Sequence, residues 1–493
     1  MNFKLRLKDI FNIVFILVFL YVFKVSIFNA TMFKNLNPIL IICSLCILFA
    51  LYLFFIKKIN DLSFKKLIII NIILFIVILI IQIIVAKQLS VNPSWDFRYI
   101  SSNAKIIALS QYCEDLNYYY TYYPNNLGST IFLSLIYKFA IKIGISLDNY
   151  LVIGIIVNIV IINISMLLSC MLLWLFNGKT VATSFSFFII FITPIYMYTP
   201  IFYTDTLSMI YPILLFLLYY LYRNKNKNIY LFLGVIFIAF GILIKANVAI
   251  SLIGLFIYVF LTSRPKEYFK FILIAIVSIT LVNTIFSLYL RNRYDFDIEN
   301  KGFPATHWVM MGLSGHGGYN QEDVELTLYT NPDERMRMNL YVIKSRLLDY
   351  GMSGIINHLD EKVKFTWTDG TLYAPDKLRR DPIYPENKLA QYIYGEKNNQ
   401  YLYLSQASFV ILILGILLSS IKSLKNKNTI DIQNLFNITI FGVFLFLLIW
   451  ETRSRYLVCF LPVMMMSSTI GVDYLYNIIF TKVKLIASKK RDD

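Results

Sequence analysis

Twenty residues without a charge lie between Lys66 and Lys87. A run of that length is enough to cross a hydrocarbon core of ~30 Å as a helix. Runs of this kind recur along the 493 residues, and only 15% of the chain is charged. Soluble domains carry roughly a quarter. In lipid a backbone must satisfy its own hydrogen bonds, so repeated long apolar runs leave an all-α polytopic membrane protein. Twelve spans are expected: 11–30, 37–56, 66–86, 150–175, 181–201, 206–222, 229–247, 249–263, 269–290, 404–421, 433–450 and 456–477. The first run contains Lys24 and lacks a small-residue cleavage site, so it reads as a retained helix.

The formal charge of +17 is placed where membrane topology would place it. The bases cluster between apolar runs: Lys4-Arg6-Lys8, Lys57-Lys58, Arg223-Lys225-Lys227, Arg264-Lys266-Lys270, Lys422-Lys425-Lys427, and Lys482 through Arg491. Excess Lys and Arg in short loops marks the cytoplasmic side, so nucleic acid is not the partner that this charge implies. With both termini inside, all six clusters fall in the cytoplasm, and the long stretches 87–149 and 291–403 fall outside. The second stretch has 14 Lys and Arg against 16 Asp and Glu, without the basic excess of the short loops. The chain then divides into a three-helix segment (1–86), an outer loop (87–149), a membrane core (150–290), an outer insert (291–403) and the C-terminal helices with a basic tail (404–493).

Residues 127–145 are apolar enough to count as a further span, which would invert everything after them. Ile131, Phe132, Leu135, Ile136 and Phe139 recur at helical spacing, while Lys138 and Lys142 stand one turn apart. That pattern predicts an amphipathic helix lying in the membrane interface. The five cysteines give no metal or disulfide framework: Cys43, Cys46, Cys170 and Cys459 lie in apolar runs, and Cys113 is alone in a polar loop.

This layout gathers several polar residues at the outer face. Asp96 follows the third span, and Asp205 stands where the fifth and sixth meet. A carboxylate at such a place suits a general base, and a pair suits base plus orienter or leaves room for a divalent cation. Lys245, in a tight turn, and Arg453 and Arg455, before the last span, suit a phosphate or diphosphate. Glu451 is placed to hold the arginines, with Tyr456 beside them. Tyr123, Asn125 and Asn126 suit the hydroxyls and apolar faces of a sugar. His307, with His316 nine residues on, suits substrate contact or loop packing better than metal ligation. The Gly-rich run 312–320 lacks the Lys-Ser/Thr ending of a phosphate loop and reads as a loop.

The arrangement resembles the glycosyltransferase C superfamily, polytopic enzymes that take a sugar from a polyprenyl-phosphate donor at the outer membrane face. Protein O-mannosyltransferases and aminoarabinose transferases belong to it. Asp96 followed by 127–145 is similar to that family's acidic outer loop and interfacial helix. Tyr123-Pro124-Asn125-Asn126-Leu127-Gly128 resembles the Pro-containing segment that opens the helix. Tyr203-Thr204-Asp205 resembles its second acidic element, and Arg453-Ser454-Arg455-Tyr456-Leu457 its arginine-tyrosine element. Two extra spans precede the acidic loop, and the insert lies between spans nine and ten rather than at the C-terminus. The resemblance implies transfer of a monosaccharide from a lipid phosphate to a cell-envelope glycan, lipid or protein, with Asp96 as base and Lys245, Arg453 and Arg455 on the phosphate. Two rival readings are a polymerase or ligase for lipid-linked oligosaccharides, and a flippase for lipid-linked sugars. A flippase predicts paired halves and mid-membrane charges, and no internal repeat is visible.

Overall fold

The computed structural model describes residues 2–30, 36–111, 114–292 and 302–492, with side chains given for neither 114–117 nor 481–492. Cys113 lies outside the described residues, as do the side chains of the basic cluster from Lys482 to Arg491. The first three helices, α1 (Asn2–Phe28), α2 (Pro38–Asn60) and α3 (Phe64–Gln88), are followed by α4 (Trp95–Ala108), α5 (Glu114–Tyr122) and α6 (Leu127–Lys142). Next come α7 (Tyr150–Asn177), α8 (Lys179–Ile189), the single turns α9 (Pro194–Met197) and α10 (Thr204–Leu207), then α11 (Ile210–Lys225), α12 (Asn228–Ile244), α13 (Ala249–Thr262) and α14 (Pro265–Arg291). The insert holds α15 (Ala305–Gly312), α16 (Gln321–Tyr329), α17 (Arg335–Trp367), α18 (Ala374–Leu378) and α19 (Lys388–Ile393). It leads into α20 (Asn399–Lys425), α21 (Ile432–Ile449) and α22 (Leu461–Asp492).

Among the described residues nine helices are long and apolar enough to cross a membrane, and two shorter apolar ones cover Asn228–Ile244 and Ala246–Thr262. The protein is an all-α polytopic membrane protein. Its outer helices present apolar residues to their surroundings: Ile69, Ile72, Ile76, Ile80 and Ile83 along α3 are all exposed, as a lipid-facing surface requires. The centre is a tightly packed apolar core with small hydroxyl and amide side chains set into it. α20 and α22 approach so closely that a Cβ on Gly415 would overlap Ser468. Small residues at such crossings let backbones meet and their hydroxyls bond across. Asn437, for instance, accepts from Ser467 at 2.6 Å.

The fifth expected span departs from the sequence reading. Residues 181–201 do not form one helix: α8 ends at Ile189, and the chain reaches Asp205 through turns and a single-turn helix. Pro194 and Pro200 supply no backbone N–H, so a continuous helix cannot be completed there. Irregular backbone is tolerated at membrane depth only where protein covers it. From Val181 to Met209 every residue is buried except Phe187, Ile190 and Phe191, which are partly so. Side-chain amides from neighbouring helices serve the freed carbonyls. Asn158 Nδ2 donates to the carbonyls of Tyr198 at 2.8 Å and Thr199 at 3.0 Å, and Gln82 Nε2 to that of Ile195 at 3.3 Å.

α6 is 16 residues long and packs on α4 and α12 through Gly128, Leu133, Ser134, Tyr137 and Ala140. Its buried face carries the small residues together with Leu127, Ile131 and Leu133. Leu135 and Phe139, read as part of the apolar face, point outward with Lys142 also exposed. The insert does not stand apart as a soluble domain. Trp367, at the end of α17, is buried edge-on against Phe19 of α1, and Tyr21 bonds Asp360.

Candidate functional site

Helix ends build the site. α4 begins in the loop after α3 with Trp95 in the left-handed region (φ 47°), which sets Asp96 in the first helical turn. Both carboxylate oxygens accept tyrosine hydroxyls: Oδ1 from Tyr119 at 2.9 Å and Oδ2 from Tyr203 at 3.2 Å. Tyr119 also accepts from Asn126 Nδ2 at 2.7 Å, which ties the start of α6 to the same carboxylate. Tyr123 stacks on Tyr119 and meets Phe303 edge-on. Burial, with Asp96 nearby, pushes the hydroxyls of Tyr119 and Tyr123 above the usual phenol range, so both stay protonated.

Tyr203 joins this carboxylate to the cations. The Arg455 guanidinium lies 5.5 Å from the centre of its ring and 5.1 Å from that of Tyr456. Asp205, buried at the start of α10, receives Lys245 at 2.7 Å and Arg455 at 3.9 Å. Lys245 ends α12 and sits 4.9 Å from the Tyr456 ring centre. Arg455 Nη1 has no hydrogen-bond partner, nor does Arg453 Nε, although Arg453 lies 4.3 Å from the ring centre of Tyr373. Two cations, Lys245 and Arg455, therefore face the Asp205 carboxylate, with Arg453 against Tyr373 and Glu451 as a further acid beside them. Burial pushes the Glu451 carboxyl up, opposed by Arg455 and Arg453.

The insert closes over this cluster. Asn92 N donates to Asp381 O at 2.8 Å and Ile383 N to Ser90 O at 2.9 Å, pinning 381–383 just ahead of Trp95. Lys377 and Arg380 then lie over the Trp95 ring at 3.6 and 4.9 Å. Lys377 is 5% exposed, and burial pushes its ammonium down to about 5, with Arg455, Arg380 and Arg453 adding to the shift against Asp205. Asp369 holds the other wall: it accepts Ser454 Oγ at 2.6 Å and Tyr373 N at 2.7 Å. At the rim, Trp308 stacks on Trp450, and Lys362 bonds the carbonyls of Gly312 and Trp450 at 2.7 and 2.8 Å. Gly312 has to be glycine there, since a Cβ would meet the Trp450 backbone at 2.8 Å.

Of the residues named from sequence, Asp96, Asp205, Lys245, Arg455, Tyr456, Asn126 and Tyr123 are linked by direct contacts, and Glu451 and Arg453 adjoin them. Asn125 is exposed and reaches only the Asn126 side chain, at 3.4 Å. His307 is buried in the insert, bonded to Thr327 at 2.8 Å and pushed down to about 4 by burial, so it is a neutral packing residue. Lys377, Arg380 and Asp369 were not visible as site residues. The dense run Asp376-Lys377-Leu378-Arg379-Arg380 was their only signal, inside an insert read as a whole. A divalent cation does not fit: Asp205 is occupied by two cations and Asp96 by two hydroxyl donors. Among the described residues no group of three or more His, Cys, Asp or Glu is placed to hold a metal.

A family model described as "Conserved hypothetical integral membrane protein" matches residues 4–475. The chain belongs to that family. No curated protein and no solved structure matches it.

Proposed function

We propose that this family member is a membrane glycosyltransferase that moves a monosaccharide from a polyprenyl-phosphate donor to an acceptor on the extracytoplasmic side. One observation carries the reading: through Tyr203, a carboxylate and a cluster of partly buried cations share one end of the bundle. Asp96 takes the proton of the acceptor hydroxyl. The acceptor oxygen bonds the anomeric carbon as the bond from that carbon to the lipid-phosphate oxygen breaks, and the phosphate leaves with the electron pair. Arg455, Arg453 and Lys245 meet the charge that grows on it. Fixed charges in a dry site are worth most at the transition state because they need no reorganisation. Asp205 holds Lys245 and Arg455 in place rather than touching the sugar. Tyr119 and Tyr203 orient the base.

The broken crossing at 190–203 favours a second reading, a transporter for lipid-linked sugars, because carriers bind at discontinuous helices. Covalent chemistry separates the two. Membranes containing the protein, supplied with a panel of radiolabelled polyprenyl-phosphate sugars, are expected to transfer one of them to an acceptor. General bases contribute ~100- to ~10,000-fold, so Asp96→Asn is expected to lose at least about 100-fold at unchanged expression. Full activity of Asp96→Asn, or movement of intact donor with no transfer by any preparation, contradicts the glycosyltransferase reading.

A further inference from the structure

A cavity of about 930 Å³ lies at the opposite end of the bundle from Asp96. α11 shows the separation: Asp205 stands just before its start, and Arg223, which lines the cavity, stands in its last turn. Lys4, Arg264 and Lys422 complete a cationic lining in which Asp431 is the acidic residue. Asp431 is already engaged: it caps α21 and accepts Asn426 Nδ2 at 3.0 Å and Thr429 Oγ1 at 2.8 Å. Among the described residues no carboxylate stands within ion-pair distance of Arg264 or Lys422.

Bases at loop ends are ordinarily a solvated face. Three features set these apart. They converge on an open-mouthed cleft whose volume is within the range that small ligands occupy, ~300–1,000 Å³. Gln433 lines the same cavity at 3% exposure, and its amide nitrogen has no hydrogen-bond partner. A buried donor left unpaired is destabilising, so such a group calls for an acceptor. The walls are also fixed: Lys4 Nζ bonds the carbonyls of Phe260 at 2.6 Å and Ser263 at 2.7 Å, and Lys8, buried beneath, bonds that of Asn426 at 2.5 Å.

We infer that this cavity is a binding site for a phosphorylated anion, separate from the site around Asp96 and independent of the reaction proposed there. Arg264 and Lys422 supply charge, Arg223, paired with Glu267 at 3.5 Å, borders them, and Gln433 supplies a neutral donor for a phosphate oxygen. A lipid headgroup and a free phosphate offer the same chemistry, so two arms distinguish them. Full-length protein in phosphatidylcholine nanodiscs is titrated with inorganic phosphate against chloride at constant ionic strength. In parallel it is moved into nanodiscs containing phosphatidylglycerol. The unfolding temperature is read in both, since a ligand that binds the folded state raises it.

A rise in the phosphate arm identifies a soluble anion, and a rise confined to the phosphatidylglycerol arm identifies a headgroup. In either case Arg264→Gln/Lys422→Gln and Gln433→Leu are expected to need about tenfold more ligand for the same rise. Arg264 is exposed, so Arg264→Gln alone serves as the fold-neutral check and is expected to shift the titration in the same direction. No rise in either arm, or the same rise in the wild type and all variants, overturns the inference.

Discussion

Tyr203 is the residue at which the two halves of the site meet, because its hydroxyl holds Asp96 and its ring lies against Arg455. Asp96, Asp205, Lys245, Arg453 and Arg455 were legible in sequence, since a charge at the end of an apolar run stands out against its neighbours. The hydroxyl partners were not, since 36 tyrosines are spread along the chain and nothing local singles out Tyr119 or Tyr203. Lys377 was hidden for another reason: its burial comes from an insert folding back onto Trp95. That burial has a consequence in solution. The unfolded chain holds a proton on Lys377 near neutral pH that the folded chain does not, so Lys377→Met is expected to raise the unfolding temperature. A lipid phosphate arriving beside Lys377 favours its ammonium, so binding takes up a proton and weakens as pH rises above about 5. Polyprenyl phosphate affinity measured from pH ~7 to ~8.5, above the phosphate's own second ionisation, is expected to fall with pH. Lys377→Met is expected to flatten that slope. A slope unchanged by Lys377→Met means that another group takes up the proton.

At the scale of elements, hydropathy alone located most of the helices, because length and lack of charge are enough for a span. It could not show that 181–201 breaks. The run has a span's composition, but its prolines end the helix, and the amides that make the break tolerable come from α3 and α7, far away in sequence. The break delivers Tyr203 and Asp205 to the site. Removing the donor to two buried carbonyls costs about 2–4 kcal/mol. Asn158→Leu is therefore expected to lower the unfolding temperature by several degrees and to reduce sugar transfer with it. An unchanged unfolding temperature would mean that other donors serve Tyr198 and Thr199. α6 shows the same limit in miniature: its periodicity was legible, but its small face was the one that packs.

At the scale of the whole molecule, the short basic loops and the cavity lined by Arg223 and Lys422 lie at one end, and the insert and the carboxylate–cation cluster at the other. The charge rule puts the basic end in the cytoplasm. In a cysteine-free background, Tyr329→Cys in the insert is expected to react with an impermeant thiol reagent from outside only, and Lys427→Cys from inside only. The reverse pattern inverts the topology. The central claim is that the outer cluster holds a lipid-borne phosphate. Arg455 tests it better than Lys245, because the Lys245–Asp205 pair at 2.7 Å is buried and its loss would itself destabilise the fold. The most direct measurement is the affinity of polyprenyl phosphate for the wild type and for Arg455→Ala in nanodiscs, with folding checked by unfolding temperature. The account predicts that a folded Arg455→Ala binds at least about tenfold more weakly. Equal affinity in the two proteins would contradict it.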